Sequence, residues 1–279
     1  MAIMSIEQAE HSDIGKVRFF AKGYHVWRGR AARLGFFIML ISVWQVAASL
    51  ELWNDVIFPP PKEVADALVL GMRDGSLPLA IKASMQRLCM GYGISLLIGI
   101  PLGLLLGRKR LLDDTIGSLA VGLQALPSIC WLPMAVLWFG LSEAAMQFVI
   151  IMGSLMSITL SVRDGVKTIP TLYLRAADIL GATGWRFYWY ILLPASLPTI
   201  ITGAKLGWSF AWRSLMAAEL LYVTTGIGST LMMGRELHDM ALVVAAMILI
   251  ITIGLLTDRL IFRLGESFIH RRWGFGGRD

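Results

Sequence analysis

The chain has 279 residues, of which 56% are hydrophobic and 16% are charged, and its formal net charge is +6. Soluble domains contain about a quarter charged residues, so this composition argues against a water-soluble globule and against a disordered chain. The two cysteines, Cys89 and Cys130, lie inside apolar runs, which argues against a disulfide scaffold.

Residues 1–33 precede the first apolar run and are predicted to form a cytoplasmic N-terminal segment. Their second half, residues 16–33, combines basic side chains with aromatic ones such as Phe19, Phe20 and Trp27. This pattern fits an amphipathic helix on the inner leaflet, and it fits a partly ordered leader equally well. Both alternatives stay open.

Apolar runs beyond this segment predict membrane spans at about residues 34–53, 85–107, 115–139, 144–162, 197–218 and 240–260. Each run is long enough, or nearly so, to cross about 30 Å of hydrocarbon as a helix. Helices are predicted because a lone helix satisfies its own backbone hydrogen bonds in lipid. The fold class is therefore all-α, a polytopic membrane protein with about six transmembrane helices in a transmembrane domain of residues 34–264.

The orientation follows from the basic residues. Most of the 25 lysines and arginines fall in residues 16–33, 108–110, 163–186 and 259–278. Because basic loops stay in the cytoplasm, we expect both termini on that side, with residues 265–279 as a cytoplasmic tail. The charge is divided into short clusters beside spans, which indicates topology and not a nucleic-acid-binding face.

The second span carries a small residue at every fourth position: Gly91, Ser95, Gly99, Gly103 and Gly107. Such a stripe permits close approach of a neighbouring helix, so these residues are predicted to be packing positions. Pro127 and Pro133 predict a broken third span, which either lines a cavity or is only a kinked packing element. Gly140-Leu141-Ser142 predicts a tight turn between the third and fourth spans.

The fifth span contains two cations, Lys205 and Arg213. Lys205 is close enough to the inner end to extend to the interface. Arg213 lies deeper, and it either pairs with Glu219 or faces a path, where its planar guanidinium would suit an oxyanion. The candidate translocation path is Gln124, Trp212, Arg213 and Glu219.

The connection of residues 163–196 is long for a compact bundle. Residues 173–181 indicate a short helix ended by Gly181, and residues 184–193 indicate a second helix stopped by Pro194 and Pro198. Its apolar positions suggest burial in a partner: Leu174, Ala177, Ile179, Leu180, Phe187, Tyr188, Ile191 and Leu192.

The run Ala176-Ala177-x3-Gly181-x9-Ile191-x-Leu193-Pro194 resembles the EAA loop of ATP-binding-cassette (ABC) importer permeases. Arg175 stands where that family usually has Glu. Weaker motifs resemble the nitrate, sulfonate, taurine and bicarbonate branch: Phe58-Pro59-Pro60-Pro61, Leu126-Pro127, Trp131-Leu132-Pro133, Leu137-Trp138-Phe139-Gly140, and Trp212 with Ala218-Glu219. The resemblance implies a type I ABC importer permease (MetI-like) fold.

The resemblance also implies partners and a role. The cytoplasmic loop of residues 163–196 would couple the chain to one of two ATPase subunits, which bind ATP and Mg²⁺. Its coupling residues would be Arg175, Ala176, Ala177, Gly181, Ile191, Leu193 and Pro194. Two permease copies, expected as a homodimer, would pass a small anion delivered by an extracytoplasmic substrate-binding protein across the bacterial inner membrane. Residues 51–82 would then be external, and they either dock that protein or only connect two spans.

The chain itself is predicted to bind no cofactor or metal and to be no enzyme. It contains no Gly-x4-Gly-Lys-Ser/Thr phosphate loop, and its four histidines have no metal-ligand spacing. One alternative is an ion-coupled secondary transporter, which would need inverted repeats and a midplane carboxylate, yet Glu219 is near a span end. Another is an ABC permease for a different small solute.

Overall fold

The computed structural model describes residue 32 and residues 34–50, 57–221 and 224–262. All regular elements in these residues are helical, which confirms the all-α prediction. The predicted N-terminal segment, apart from Ala32, and the predicted tail lie outside the described residues. The chain divides into two compact units, residues 1–65 and 66–279.

The first unit contains helix α1 (Leu34–Ser49). Most of its side chains are exposed, as expected of an apolar helix that faces lipid. Trp44 Nε1 donates a hydrogen bond of 3.1 Å to the carbonyl of Pro59, which ties the helix to the proline-rich turn. Helix α2 (Pro61–Arg73) begins here, with proline at the first position, where its missing N–H is harmless.

The second unit contains the remaining helices: α3 (Ser76–Arg108), α4 (Arg110–Gln124), α5 (Ser128–Phe139), α6 (Glu143–Lys167), α7 (Thr171–Ile179), α8 (Gly184–Glu219), α9 (Ile227–Glu236) and α10 (Met240–Thr257). Helices α3, α6, α8 and α10 are long and apolar enough to cross a membrane, and α4 with α5 makes a fifth crossing if the bent pair is one span. Of the six predicted spans, the first corresponds to α1, which is shorter than the usual 20 or so residues.

Helices α3, α6 and α8 form the centre of this unit, and the glycine stripe of α3 lies against α6. A Cβ added at Gly91 would lie 2.7 Å from Ile150, and one at Gly103 would lie 2.6 Å from the carbonyl of Thr159. Ser154 Oγ donates to Ser95 Oγ across the same seam, at 2.8 Å. The two backbones therefore approach too closely for larger residues, as the spacing predicts.

The third predicted span is not one straight helix. Helix α4 ends at Gln124, α5 begins at Ser128, and the two axes differ by 102°. Pro127 has an extended backbone with ψ of 134°, and it cannot donate to the preceding turn. The predicted break is thus a sharp bend, with three residues between the half-helices.

The prediction that Pro194 and Pro198 stop a second loop helix is wrong. Helix α8 runs from Gly184 through both prolines to Glu219, with a π-helical turn at Tyr188–Leu192. Pro194 lies in the first turn of the regular segment Leu193–Glu219, where proline is tolerated. The π-helical turn before it accommodates the change in the backbone hydrogen-bond pattern. The second loop helix is therefore the beginning of the span itself.

Candidate functional site

The loop between α6 and α8 carries helix α7, which ends in a glycine cap. Gly181 has φ of +67°, and the N–H of Ala182 donates to the carbonyl of Ala177 at 3.0 Å. This is the left-handed helix ending that favours glycine, so the predicted helix ended by Gly181 is confirmed. Space around the missing Cβ of Gly181 is open within this chain.

The residues of the EAA-like run do not share one environment. Arg175, Ala176 and Gly181 are exposed, whereas Ala177 is buried. Ile191, Leu193 and Pro194 are partly buried and belong to the beginning of α8. The run therefore has an outward part on α7 and an inward part that packs on the spans.

The prediction that the whole apolar face of this loop is buried in a partner is wrong. Ala177, Phe187 and Leu192 pack inside the chain's own core, together with Leu104, Ile158, Val162 and Ile200 of the spans. Ile179 and Leu180 remain 86% and 82% exposed. Helix α7 packs on the beginning of α8, and it presents Leu172 and Tyr173 outward at its beginning as well as Ile179 and Leu180 at its end.

Charged contacts hold this end of the bundle together. Asp113 of α4 pairs with both Arg163 and Lys167 of α6. The guanidinium of Arg108 lies 4.8 Å from the ring centre of Phe187. The ion pairs join α4 to α6, and packing together with the contact of Arg108 on Phe187 joins the loop to the spans.

A cavity of about 330 Å³ opens at the bend between α4 and α5. Its polar lining comes from Gln124, Ser128 and Arg213, and its apolar lining includes Met152 and Phe210. The guanidinium of Arg213 lies 4.6 Å from the ring centre of Phe210, and its Nε donates to the carbonyl of Ser209 at 3.1 Å. Among the described residues Arg213 forms no ion pair.

The other two candidate path residues lie elsewhere. Trp212 is buried in the core on another face of α8, where an added Cβ at Gly254 would lie 3.4 Å from its Nε1. Glu219 is fully buried and pairs with Arg87, not with Arg213. Of the four candidates, the structure thus brings together Gln124 and Arg213.

Glu219 belongs to a buried polar network at the end of the bundle opposite α7. Its two carboxylate oxygens accept hydrogen bonds from Ser84 Oγ at 2.7 and 2.8 Å, and one accepts from the N–H of Gly228 at 2.9 Å. Arg87 donates to the other oxygen at 3.0 Å. Ser84 Oγ in turn accepts from the N–H of Ile227 at 2.9 Å. The network thereby joins α3, α8 and the beginning of α9.

Arg87 extends this network to α6. Its Nε and one terminal nitrogen form a two-pronged contact with Glu143, at 2.7 and 2.6 Å. The other terminal nitrogen also donates to the carbonyl of Thr225 at 2.6 Å. Charge-assisted, paired bonds of this kind are the strongest that an arginine makes.

Sequence reasoning missed Ser84 and Arg87. Arg87 lies just before the uncharged part of α3, so the charge reads as the boundary of a span. The spacing of Ser84, Arg87 and Gly91 places them on neighbouring positions of one helix face, which was the available signal. An arginine on the packing face of a membrane helix predicts a partner, although it does not identify which one.

Comparisons with known proteins add a family. The model of the family described as binding-protein-dependent transport system inner membrane component matches residues 99–269. The taurine transport system permease protein of Escherichia coli K12 is 29% identical over 88% of this chain and 91% of its own length. The nitrate import permease protein of Synechocystis is 29% identical, over 83% and 86%. A putative ABC transporter permease of Methanocaldococcus jannaschii is 34% identical, over 79% and 84%.

Proposed function

The chain belongs to the family of binding-protein-dependent transport system inner membrane components, and from this premise we propose that it forms the translocation path for a small anion. It is a multi-pass membrane permease of an ABC importer. The family replaces the alternative of an ion-coupled secondary transporter. Bicarbonate, nitrate and sulfonates are the anion classes that we propose for this path, and another small solute is the alternative.

The observation that carries this proposal is Arg213 at the bend between α4 and α5. A guanidinium presents N–H groups in one plane, which matches the oxygens of nitrate, bicarbonate or a sulfonate. Gln124 lines the same cavity and offers an amide donor. The names of the relatives above include taurine, which carries a sulfonate, and nitrate, so both chemistries fit the same cation.

Replacing Arg213 by Met tests the path. The variant is reconstituted in vesicles with its ATPases and binding protein, and uptake of nitrate, taurine and bicarbonate is measured. We expect uptake of the transported anion to fall at least about tenfold, as when a charged hydrogen-bond donor is removed from a polar site. The matched control is Arg235→Met, since Arg235 is also exposed but lies outside the cavity lining. Uptake that is undiminished by Arg213→Met would contradict a role in the path.

We propose further that α7 is the lever that couples this chain to a cytoplasmic ATPase subunit. Ile179 and Leu180 support this, because adjacent apolar side chains this exposed beside a charged loop are typical of a binding surface. ATP and Mg²⁺ would bind to the ATPases, and this chain would supply no catalytic residue. The assembly would contain two copies of the chain, two ATPases and an extracytoplasmic binding protein, with both termini of the chain in the cytoplasm.

A further inference from the structure

Arg87 lies between two carboxylates whose surroundings differ. The side chain of Glu219 is 0% exposed, whereas that of Glu143 is 58% exposed. Both are held by the same guanidinium, which is itself 10% exposed. One arginine therefore pairs with one carboxylate inside the bundle and with another at its surface.

The buried side of this arrangement is difficult to open. Glu219 accepts from three donors on two helices, Ser84 and Arg87 of α3 and Gly228 of α9. Any movement of the segment 224–228 away from it would remove one of these donors from a fully buried carboxylate. The segment also fits closely, since a Cβ added at Gly226 would lie 2.6 Å from the Glu219 carboxylate. We therefore treat α3, the end of α8 and residues 224–228 as one rigid part.

The exposed side is easier to open. Glu143 is the first residue of α6 and directly follows the turn at residues 140–142, in which Gly140 has φ of +66°. When its bond to Arg87 breaks, the carboxylate of Glu143, which is 58% exposed, exchanges that bond for water, an exchange that the fully buried Glu219 does not have. The turn leads directly to α5, the half-helix that follows the bend at the cavity.

We propose that Arg87 is a positioning residue for transport, with a permanent bond to Glu219 and a breakable bond to Glu143. The permanent bond holds residues 224–228 on α3 and α8 throughout the cycle. The breakable bond holds the turn between α5 and α6 in the resting conformation and opens when this end of the bundle opens. This inference rests on the proposed function, because only transport requires that end to open.

The permanent bond is tested without any partner. Ile227→Cys is a reporter, because Ile227 is 0% exposed, and it is introduced into the permease after the exposed Cys89 and Cys130 are replaced by Ser. Labelling by a membrane-impermeant maleimide is followed in membranes that contain the permease alone. We expect Glu219→Gln to accelerate labelling at least about tenfold, since the amide opposes its donors, and Glu143→Gln to leave it unchanged. Equal labelling in the two variants would overturn the distinction.

The breakable bond is tested in the complete importer. Glu143→Gln should raise ATP hydrolysis in the absence of the binding protein by roughly two- to fivefold, the fold-change that corresponds to losing an ion pair with one exposed partner. Glu143→Asp should return most of the wild-type rate, because the carboxylate is kept. The matched control is Glu236→Gln on α9, which removes the same charge from an exposed residue without an ion pair among the described residues.

The outcomes are distinguishable. If Glu143→Gln hydrolyses ATP in the absence of the binding protein at the wild-type rate, the breakable bond between Arg87 and Glu143 has no role in transport. Uptake by the wild type would still support the proposed function. A wild-type importer whose hydrolysis does not respond to any binding protein overturns the proposed function. In that case the labelling of Ile227→Cys still decides whether Glu219 is a permanent anchor.

Discussion

Arg87 and Arg213 both lie on membrane-spanning helices, but they differ in burial and in hydrogen-bond partners. Arg87 is nearly buried and donates to two carboxylates and a backbone carbonyl. Arg213 is exposed, and its hydrogen bond goes to the carbonyl of Ser209 on its own helix. An arginine that uses most of its donors within the protein holds helices in place, whereas one that uses few of them can bind a ligand. Position within a span does not distinguish these roles, but the partners do.

The strongest test of this difference compares Arg87→Met with Arg213→Met. Removing Arg87 leaves Glu219 buried without its cation, which we expect to destabilise the protein by about 3–5 kcal/mol. Removing Arg213 breaks no ion pair among the described residues, and we expect a change within about 0.5 kcal/mol. The measurement is thermal unfolding of the detergent-purified proteins, with monodispersity as a control.

The proposed difference between the two arginines would be wrong if both variants were equally stable, or if Arg213→Met were less stable than Arg87→Met. A similar loss of stability in both would mean that Arg213 has a structural partner in the folded protein. A large loss in Arg87→Met alone would confirm that the network is structural.

A second test concerns the seam that places Arg87 opposite Glu143. Arg87 is on α3 and Glu143 is on α6, so their contact depends on how closely these helices pack along the glycine stripe. Gly103→Val would place a Cβ 2.6 Å from the carbonyl of Thr159. We expect a loss of about 1–3 kcal/mol from overpacking, measured by thermal unfolding.

The matched control is Gly93→Val on the same helix. Nothing lies within 4 Å of a Cβ added at Gly93, so the substitution changes propensity without creating a clash. The control should differ little from the wild type. Equal destabilisation at both positions would attribute the effect to helix propensity and would remove the seam as the element that aligns Arg87.

The two arginines also show what could be predicted from the sequence. The apolar runs, the glycine stripe and the cap at Gly181 depend on residues close together in the chain, and each of them is present in the structure. The carboxylate partners of Arg87, Glu143 and Glu219, are 56 and 132 residues away, and no local pattern identifies them. Likewise, Pro127 predicts that the third span breaks, but the bend of 102° depends on the packing of both halves.

The apolar face of the loop also shows what the sequence does not predict. Amphipathic spacing predicts that Ala177, Phe187 and Ile179 will be buried, but it does not say whether the cover is a partner or the chain itself. The structure covers the first two with its own spans and leaves Ile179 outward. Sequence patterns indicate which side chains avoid water, and only tertiary packing identifies what covers them.

Only a small change in stability is expected from substitution of Gly181, because the space around its missing Cβ is open. Gly181→Asp and Gly181→Asn are a matched pair, because both residues tolerate a positive φ and they differ mainly in charge. We expect each to lose about 1 kcal/mol of stability and to remain in the membrane. We expect Gly181→Asp to lose substrate-stimulated ATP hydrolysis and uptake in the reconstituted importer, because a charge would enter an apolar contact beside Ile179 and Leu180. If Gly181→Asn also uncouples, close approach of a partner backbone is the requirement; if neither variant does, α7 is not the coupling lever, and open surface in this protein does not mark function.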